Sequence, residues 1–222
     1  MSDSANLRGF IPPAILLIAF AALAMAMGCG ALEVPDERLM LALRTDDLHD
    51  PLGPPSVERL GVAITHLGDY WTITAVTGAI IVFLLLRRRQ ASALLIFSAV
   101  AGGALLNELL KALFERARPD LIAHIVEVHS LSFPSGHAMS TATLYLTLGA
   151  LLARTRKSPA LRGTIVATAI VITCAVGISR VYLGVHWPSD VLGGWLAGGA
   201  WALLCWEIAR RLQKRGAIEK PD

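Results

Sequence analysis

Apolar residues occur in long continuous runs at 10–32, 71–86, 91–110, 138–153, 164–178 and 191–208. A soluble core would space such residues at helical or strand periods between polar positions, so runs of this length predict helices that cross lipid. Residues 10–32 carry no charge, and at 1.5 Å per residue they span more than the roughly 30 Å of a hydrocarbon core. The runs at 138–153 and 164–178 are near the lower length limit and need flanking residues to complete a crossing. The pattern therefore predicts an all-α, polytopic membrane bundle of six transmembrane helices, built as one membrane-embedded domain over residues 1–222.

Composition supports this, with 55% hydrophobic and only 17% charged residues. The net charge of +3 decides little, but the placement of the basic residues does. Arg8 precedes the first run, Arg87, Arg88 and Arg89 join the second and third, and Arg154, Arg156, Lys157 and Arg162 join the fourth and fifth. With Arg210, Arg211, Lys214, Arg215 and Lys220 in the tail at about 209–222, 13 of the 20 basic residues share one side, which the positive-inside rule makes cytoplasmic. Nucleic-acid binding, which needs a basic patch on a soluble surface, is not expected. The loop at about 33–69 holds Glu33, Asp36, Glu37, Asp46, Asp47, Asp50, Glu58 and Asp69, so it is read as periplasmic or exterior. Both termini are then cytoplasmic, as an even number of crossings requires.

Within that loop Pro51, Pro54 and Pro55 rule out one continuous helix, while residues 56–67 suit a short interfacial one. His49 and His66 have no partner at ligand spacing, and the loop is assigned no chemistry. Arg8, the first run and Ala26-Met27-Gly28-Cys29 have the outline of a cleaved or lipoprotein signal. The run exceeds a signal core of about 7 to 15 residues and Met27 is a poor cleavage context, so the segment is expected to be retained. Cys29, Cys174 and Cys205 show neither metal-ligand spacing nor a disulfide pattern. They are read as packing residues.

Three polar clusters remain, all on the side assigned to the exterior. In the first, Lys111 and Arg118 are seven residues apart, which on a continuous helix directs two cations to one side and toward one anion. In the second, Ser132-Phe133-Pro134-Ser135-Gly136-His137 opens a run, and the amides of Ser135 and Gly136 at a helix N-terminus suit a phosphate. In the third, Asp190 follows His186 by four residues, spaced to accept a hydrogen bond from one imidazole nitrogen and leave the other for a substrate. That arrangement orients a nucleophile. Taken singly, each has a plainer reading as a snorkelling base, a capped helix start or a polar helix end.

Together, Lys-x6-Arg-Pro at 111–119, Pro-Ser-Gly-His at 134–137 and Ser-Arg-x5-His-x3-Asp at 179–190 resemble the three-part signature of the type 2 phosphatidic acid phosphatases. The motif region covers 111–190. The resemblance implies a metal-free, cofactor-free hydrolase acting on a membrane lipid phosphate or pyrophosphate through a phosphohistidine at His186. It implies Asp190 as the orienting carboxylate, His137 as the general acid for the leaving group, and Lys111, Arg118, Ser135, Gly136 and Arg180 as phosphate-binding residues. Charge developing on equatorial phosphoryl oxygens fits three cations and backbone amides held in place. The expected setting is a bacterial plasma membrane, multi-pass, with the active site facing the periplasm or exterior.

Nearby residues receive plainer roles: Glu115 as a partner for Lys111, Arg116 as structural on another face, Tyr182 and Trp187 in an aromatic belt. His124 and His129 are read as loop residues, and Asn107 and Glu108 as helix contacts. Three other functions fit parts of the pattern: a phosphotransferase using the same phosphohistidine, a vanadate-dependent haloperoxidase, and a non-catalytic lipid-binding or transport protein. Six apolar runs argue against the second; the joint presence of His137, His186 and Asp190 argues against the third. Substrate identity among phosphatidic acid, phosphatidylglycerol phosphate and undecaprenyl pyrophosphate is left open, as is oligomeric state.

Overall fold

The structure is a computed structural model that describes residues 8–45, 50–122, 124–126 and 130–215. Asp46, Asp47, His49, His129 and Lys220, assigned above to loops and tail, lie outside the described residues. Eight α-helices are described: α1 (Ile11–Gly28), α2 (Glu33–Leu41), α3 (Pro55–Thr65), α4 (Tyr70–Leu86), α5 (Gln90–Phe114), α6 (Gly136–Arg154), α7 (Pro159–Tyr182) and α8 (Pro188–Lys214). Short 3-10 turns cover Arg8–Phe10 and His66–Gly68.

Local chemistry accounts for the boundaries. Proline occupies the first turn of α1, α3, α7 and α8, where its fixed φ suits the helix and no amide donor is lost. Ser158 caps α7 by accepting from Leu161 N at 3.4 Å. α5 stops because Glu115 turns left-handed (φ 46°) and Pro119 further on disfavours helix at Arg118.

The helix limits follow the six apolar runs, but the crossings do not follow as simply. Among the described residues, four helices are long and apolar enough to cross a membrane, or five if the bent pair Pro55–Gly68 and Tyr70–Leu86 forms one crossing. α6 falls outside that count for a physical reason. It lies against α4, α5, α7 and α8 and turns Thr141, Thr143 and Thr147 inward, each at most 2% exposed, so its surroundings are protein and it needs little apolar character. The surrounding helices instead leave large apolar side chains on the outside, among them Ile18, Leu86, Leu113 and Val171. In water that would be an aggregating surface; against lipid tails it costs nothing.

Close backbone approach holds α8 on α6. A Cβ at Gly194 would stand 2.7 Å from Ser135 O and 2.8 Å from Ala138 Cβ, and one at Gly198 would stand 2.5 Å from Met139 O. These contacts are backbone or short side chains and cannot yield. Gly194→Ala is therefore expected to destabilise the protein by about 1–3 kcal/mol and to reduce activity by displacing Ser135; thermal unfolding in detergent, paired with a phosphate-release assay, checks both effects. The three cysteines are free, with Cys29 exposed, Cys174 half-buried and Cys205 buried.

Candidate active site

The three clusters meet at one end of the bundle. His186 stands in the turn between α7 and α8, only 1% exposed, with its Nδ1 3.3 Å from Asp190 Oδ2 in the first turn of α8. Its Nε2 stands 3.1 Å from Arg118 Nη1. A guanidinium only donates, so Nε2 accepts and the proton is assigned to Nδ1, facing the carboxylate. Burial, reinforced by Arg118 and Arg180 and opposed by Asp190, pushes the His186 imidazole down to about 3. At neutral pH the ring is thus uncharged, with an unprotonated Nε2.

Asp190 is fully buried and held on both oxygens. Oδ2 accepts from Trp187 N at 2.9 Å and, in a short contact, from Ser132 Oγ; Oδ1 accepts from Arg116 Nη1 at 2.6 Å. Arg116 Nη2 donates in turn to Asp36 Oδ2 at 2.8 Å, and Asp36 accepts the Ser189 amide at 2.9 Å and the Ser189 hydroxyl. The first turn of α8 is thereby wired to α2 through a cation lying between two buried carboxylates. Sequence reasoning missed this: Arg116 does serve structure, but it reaches the triad carboxylate, and Asp36 belongs to the loop given no chemistry. No local spacing signals a contact between residues 36, 116 and 190.

The cations converge by a different route from the one the spacing suggested. Lys111 lies in the last turn of α5, whereas Arg118 lies beyond its end, so the two do not share a helix face. They meet because both donate to Ser130 Oγ, at 3.0 Å each. Arg118 is fixed further by Ser130 O at 2.6 Å and Val185 O at 2.5 Å. Lys111 pairs with Glu108 at 3.7 Å in place of the expected Glu115. Arg180 is buried; its Nη1 donates to Thr65 Oγ1 at 2.9 Å while its Nε has no partner among the described residues.

Ser135 is the N-cap of α6, but its amide is not available to a ligand, because it donates to Asp190 O at 3.0 Å. Its hydroxyl oxygen is buried and, like Arg180 Nε, without a partner among the described residues. Unmatched buried polar atoms beside two further cations are what an anion would satisfy. Gly136 opens the helix where a Cβ would stand 3.2 Å from Asn107 Oδ1 and 3.8 Å from Lys111 Nζ, so a side chain there would press on Asn107 and fill space beside Lys111.

His137 and His186 line a common cavity of about 1040 Å³, together with Lys111, Arg118, Arg180 and Gly136. Asp190 stands behind His186 and Ser135 behind Gly136. The cavity also runs between α4 and α5 past Ile73, Thr77, Ile81, Ala101 and Phe97. Phe97 lies fourteen residues before Lys111 on α5, about 21 Å along the axis, and the walls of this reach are mainly apolar.

Two expectations need correction: the loop at 33–69 does bear on the site, and His66 is not without a partner. His66 Nδ1 is 2.5 Å from Asp69 Oδ2, and Asp69 Oδ1 is 2.7 Å from His137 Nε2. Asn107 and Glu108, read from the sequence as helix contacts, both border the cavity. Asn107 Nδ2 bonds Pro134 O at 3.3 Å, Tyr182 Oη bonds Leu52 O at 3.0 Å, and Trp187 Nε1 bonds Ala117 O at 3.2 Å. His124 bonds Pro119 O at 2.7 Å and does not line the cavity.

Known proteins share the sequence and the fold of this chain. Residues 91–214 match the model of the PAP2 superfamily. The chain is 34% identical over 192 residues to phosphatidylglycerophosphatase B of Bacillus subtilis, covering 84% of this chain and 89% of that protein. It is 34% identical over 137 residues to decaprenylphosphoryl-5-phosphoribose phosphatase of Mycobacterium tuberculosis, covering 59% of this chain and 68% of the relative. Among solved structures, the transmembrane PAP2 type phosphatidylglycerolphosphate phosphatase from Bacillus subtilis superposes with a TM-score of 0.80 at 32% identity, over 90% of this chain and 96% of that one.

Proposed function

This chain belongs to the PAP2 superfamily, and on that premise we propose that it hydrolyses the phosphate of a membrane lipid by metal-independent transfer through His186. The carrying observation is that His186, backed by Asp190, shares one cavity with His137, Lys111, Arg118 and Arg180. Nε2 of His186 attacks phosphorus, the cations and Ser135 hold the equatorial oxygens, and His137 protonates the departing oxygen. Water then cleaves the phosphohistidine.

The apolar reach between α4 and α5 suits a lipid chain entering from the bilayer, which supports a lipid substrate over a soluble one. Phosphatidylglycerol phosphate is the first choice, because the relative matched over nearly its whole length is named for it. Phosphatidic acid and undecaprenyl pyrophosphate carry the same reacting group. A phosphotransferase would use the same intermediate but require an acceptor. The bundle is read as one domain with six crossings, α6 included, both termini cytoplasmic and the site at the outer face, on the strength of the basic loops.

Purified protein in detergent should release inorganic phosphate from one or more of these lipids without an added acceptor. Activity should persist in excess EDTA, and vanadate should inhibit it by mimicking the trigonal bipyramidal transition state. A strict magnesium requirement in folded protein, or transfer only to an added acceptor, would reject the hydrolase reading.

A further inference from the structure

The connection between α3 and α4 carries ionisable groups that the reaction above leaves unused. Asp69 occupies the N-cap position of α4, with extended backbone (φ −64°, ψ 147°). A carboxylate placed there ordinarily accepts from the amides of the first turn. Asp69 makes no such bond. Both oxygens go to imidazoles instead, Oδ1 to His137 Nε2 at 2.7 Å and Oδ2 to His66 Nδ1 at 2.5 Å. All three side chains border the cavity that holds His186.

The turn is fastened to α6 along three consecutive points of contact. Tyr145 Oη donates to Leu67 O at 3.0 Å, Ser140 Oγ to Gly68 O at 3.4 Å, and the His137–Asp69 pair completes the row. Gly68 permits this approach, since a Cβ there would stand 2.8 Å from Val176 Cγ1 and 3.1 Å from His137 Cδ2. A chance surface ion pair would need none of this fitting. Burial would raise the Asp69 carboxyl, but the hydrogen bonds to His66 and His137 outweigh it and hold it below its usual range.

We propose that Asp69 is a positioning residue for the leaving-group acid, fixing His137 by Nε2 and stabilising its protonated form so that Nδ1 delivers the proton. The proposal rests on the assignment of His137 under Proposed function. As His186 Nε2 forms the N–P bond, the P–O bond breaks and its electron pair leaves with the oxygen, which takes the proton from His137 Nδ1. Neutral His137 keeps the Nε2 proton toward Asp69. In the second step Nδ1 accepts a proton from water as the water oxygen bonds phosphorus and the N–P bond breaks. Asp69 remains ionised throughout, and the sum is ester plus water giving alcohol plus phosphate.

A residue that serves the acid should be needed most when the leaving group needs a proton most. The test is turnover of octyl phosphate and of p-nitrophenyl phosphate by the full-length protein in detergent, for wild type, Asp69→Asn and His137→Ala. Asp69→Asn is expected to lose about 10²-fold on octyl phosphate and under about 10-fold on p-nitrophenyl phosphate, following the pattern of His137→Ala, since an acid contributes about 10²–10⁴-fold. Should Asp69→Asn not fold, Asp69→Glu, which keeps the charge but moves it, is expected to show a smaller loss with the same leaving-group dependence. Equal losses on both substrates in a folded Asp69 variant, with the dependence intact in His137→Ala, would overturn this proposal alone. Absence of the dependence in His137→Ala itself would instead overturn the assignment of the acid, and the proposal with it.

Discussion

His186→Ala is expected to abolish turnover and phosphoenzyme formation on every substrate, good leaving groups included. Removing a nucleophile costs about 10⁶-fold in an enzyme where it has been measured, and among the described residues no second group stands ready. His137 is held by Asp69, and the remaining polar groups bordering His186 include cations that bind but do not attack. The measurement is steady-state phosphate release together with acid-labile, base-stable phosphoprotein trapped from labelled substrate. Labelling of the variant at the wild-type level would assign the nucleophile elsewhere. Because His186 is almost wholly buried, the variant must first be shown to unfold at a temperature close to that of the wild type.

Arg116→Ala is expected to be the next most damaging change, although Arg116 stands behind the cavity and does not line it. The substitution leaves Asp36 and Asp190, 3% and 0% exposed, without the cation between them. Breaking a buried pair in this way costs about 3–5 kcal/mol. Activity should fall even where the protein survives, because Asp190 loses the contact on Oδ1 and the imidazole loses its fixed carboxylate. Loss of an orienting carboxylate costs about 10⁴-fold in a serine protease, which bounds the effect here. Arg116→Lys should recover part of it, since an ammonium keeps the charge but lacks the planar fork whose two nitrogens reach Asp190 and Asp36 separately. Turnover and thermal unfolding measured side by side check the prediction; an Arg116→Ala protein equal to wild type in both would remove Arg116 from the account of the site.

The two substitutions differ in how plainly the sequence announced them. His186 and Asp190 are four residues apart on one turn of chain, and local geometry alone brings an imidazole to a carboxylate at that spacing. Arg116 reads locally as one more base at the end of a helix. Its partners lie 80 and 74 residues away, a pairing that no periodicity encodes.

The amino-acid sequence by itself determined the features that depend on local interactions and on partition into lipid. Continuous apolar runs specify the helices, because a backbone in hydrocarbon must satisfy its own hydrogen bonds. The three motifs single out side chains whose residue types suit phosphoryl transfer, and six of them, Lys111, Arg118, Gly136, His137, Arg180 and His186, line one cavity. Tertiary structure decided how they are used. Spacing placed Lys111 and Arg118 on one helical face, yet the helix ends at Phe114 and the two cations meet through Ser130 instead. The Ser135 amide, expected to face an anion, is consumed by Asp190 O once α6 and α8 pack through Gly194 and Gly198. α6 could remain polar because neighbouring helices, not lipid, surround it. Asp36 and Asp69 became part of the site only when the loop folded back over the end of the bundle. In each case the deciding contact joins groups distant in the chain, and it forms because polar groups that packing removes from water must find partners while small and apolar ones close against each other.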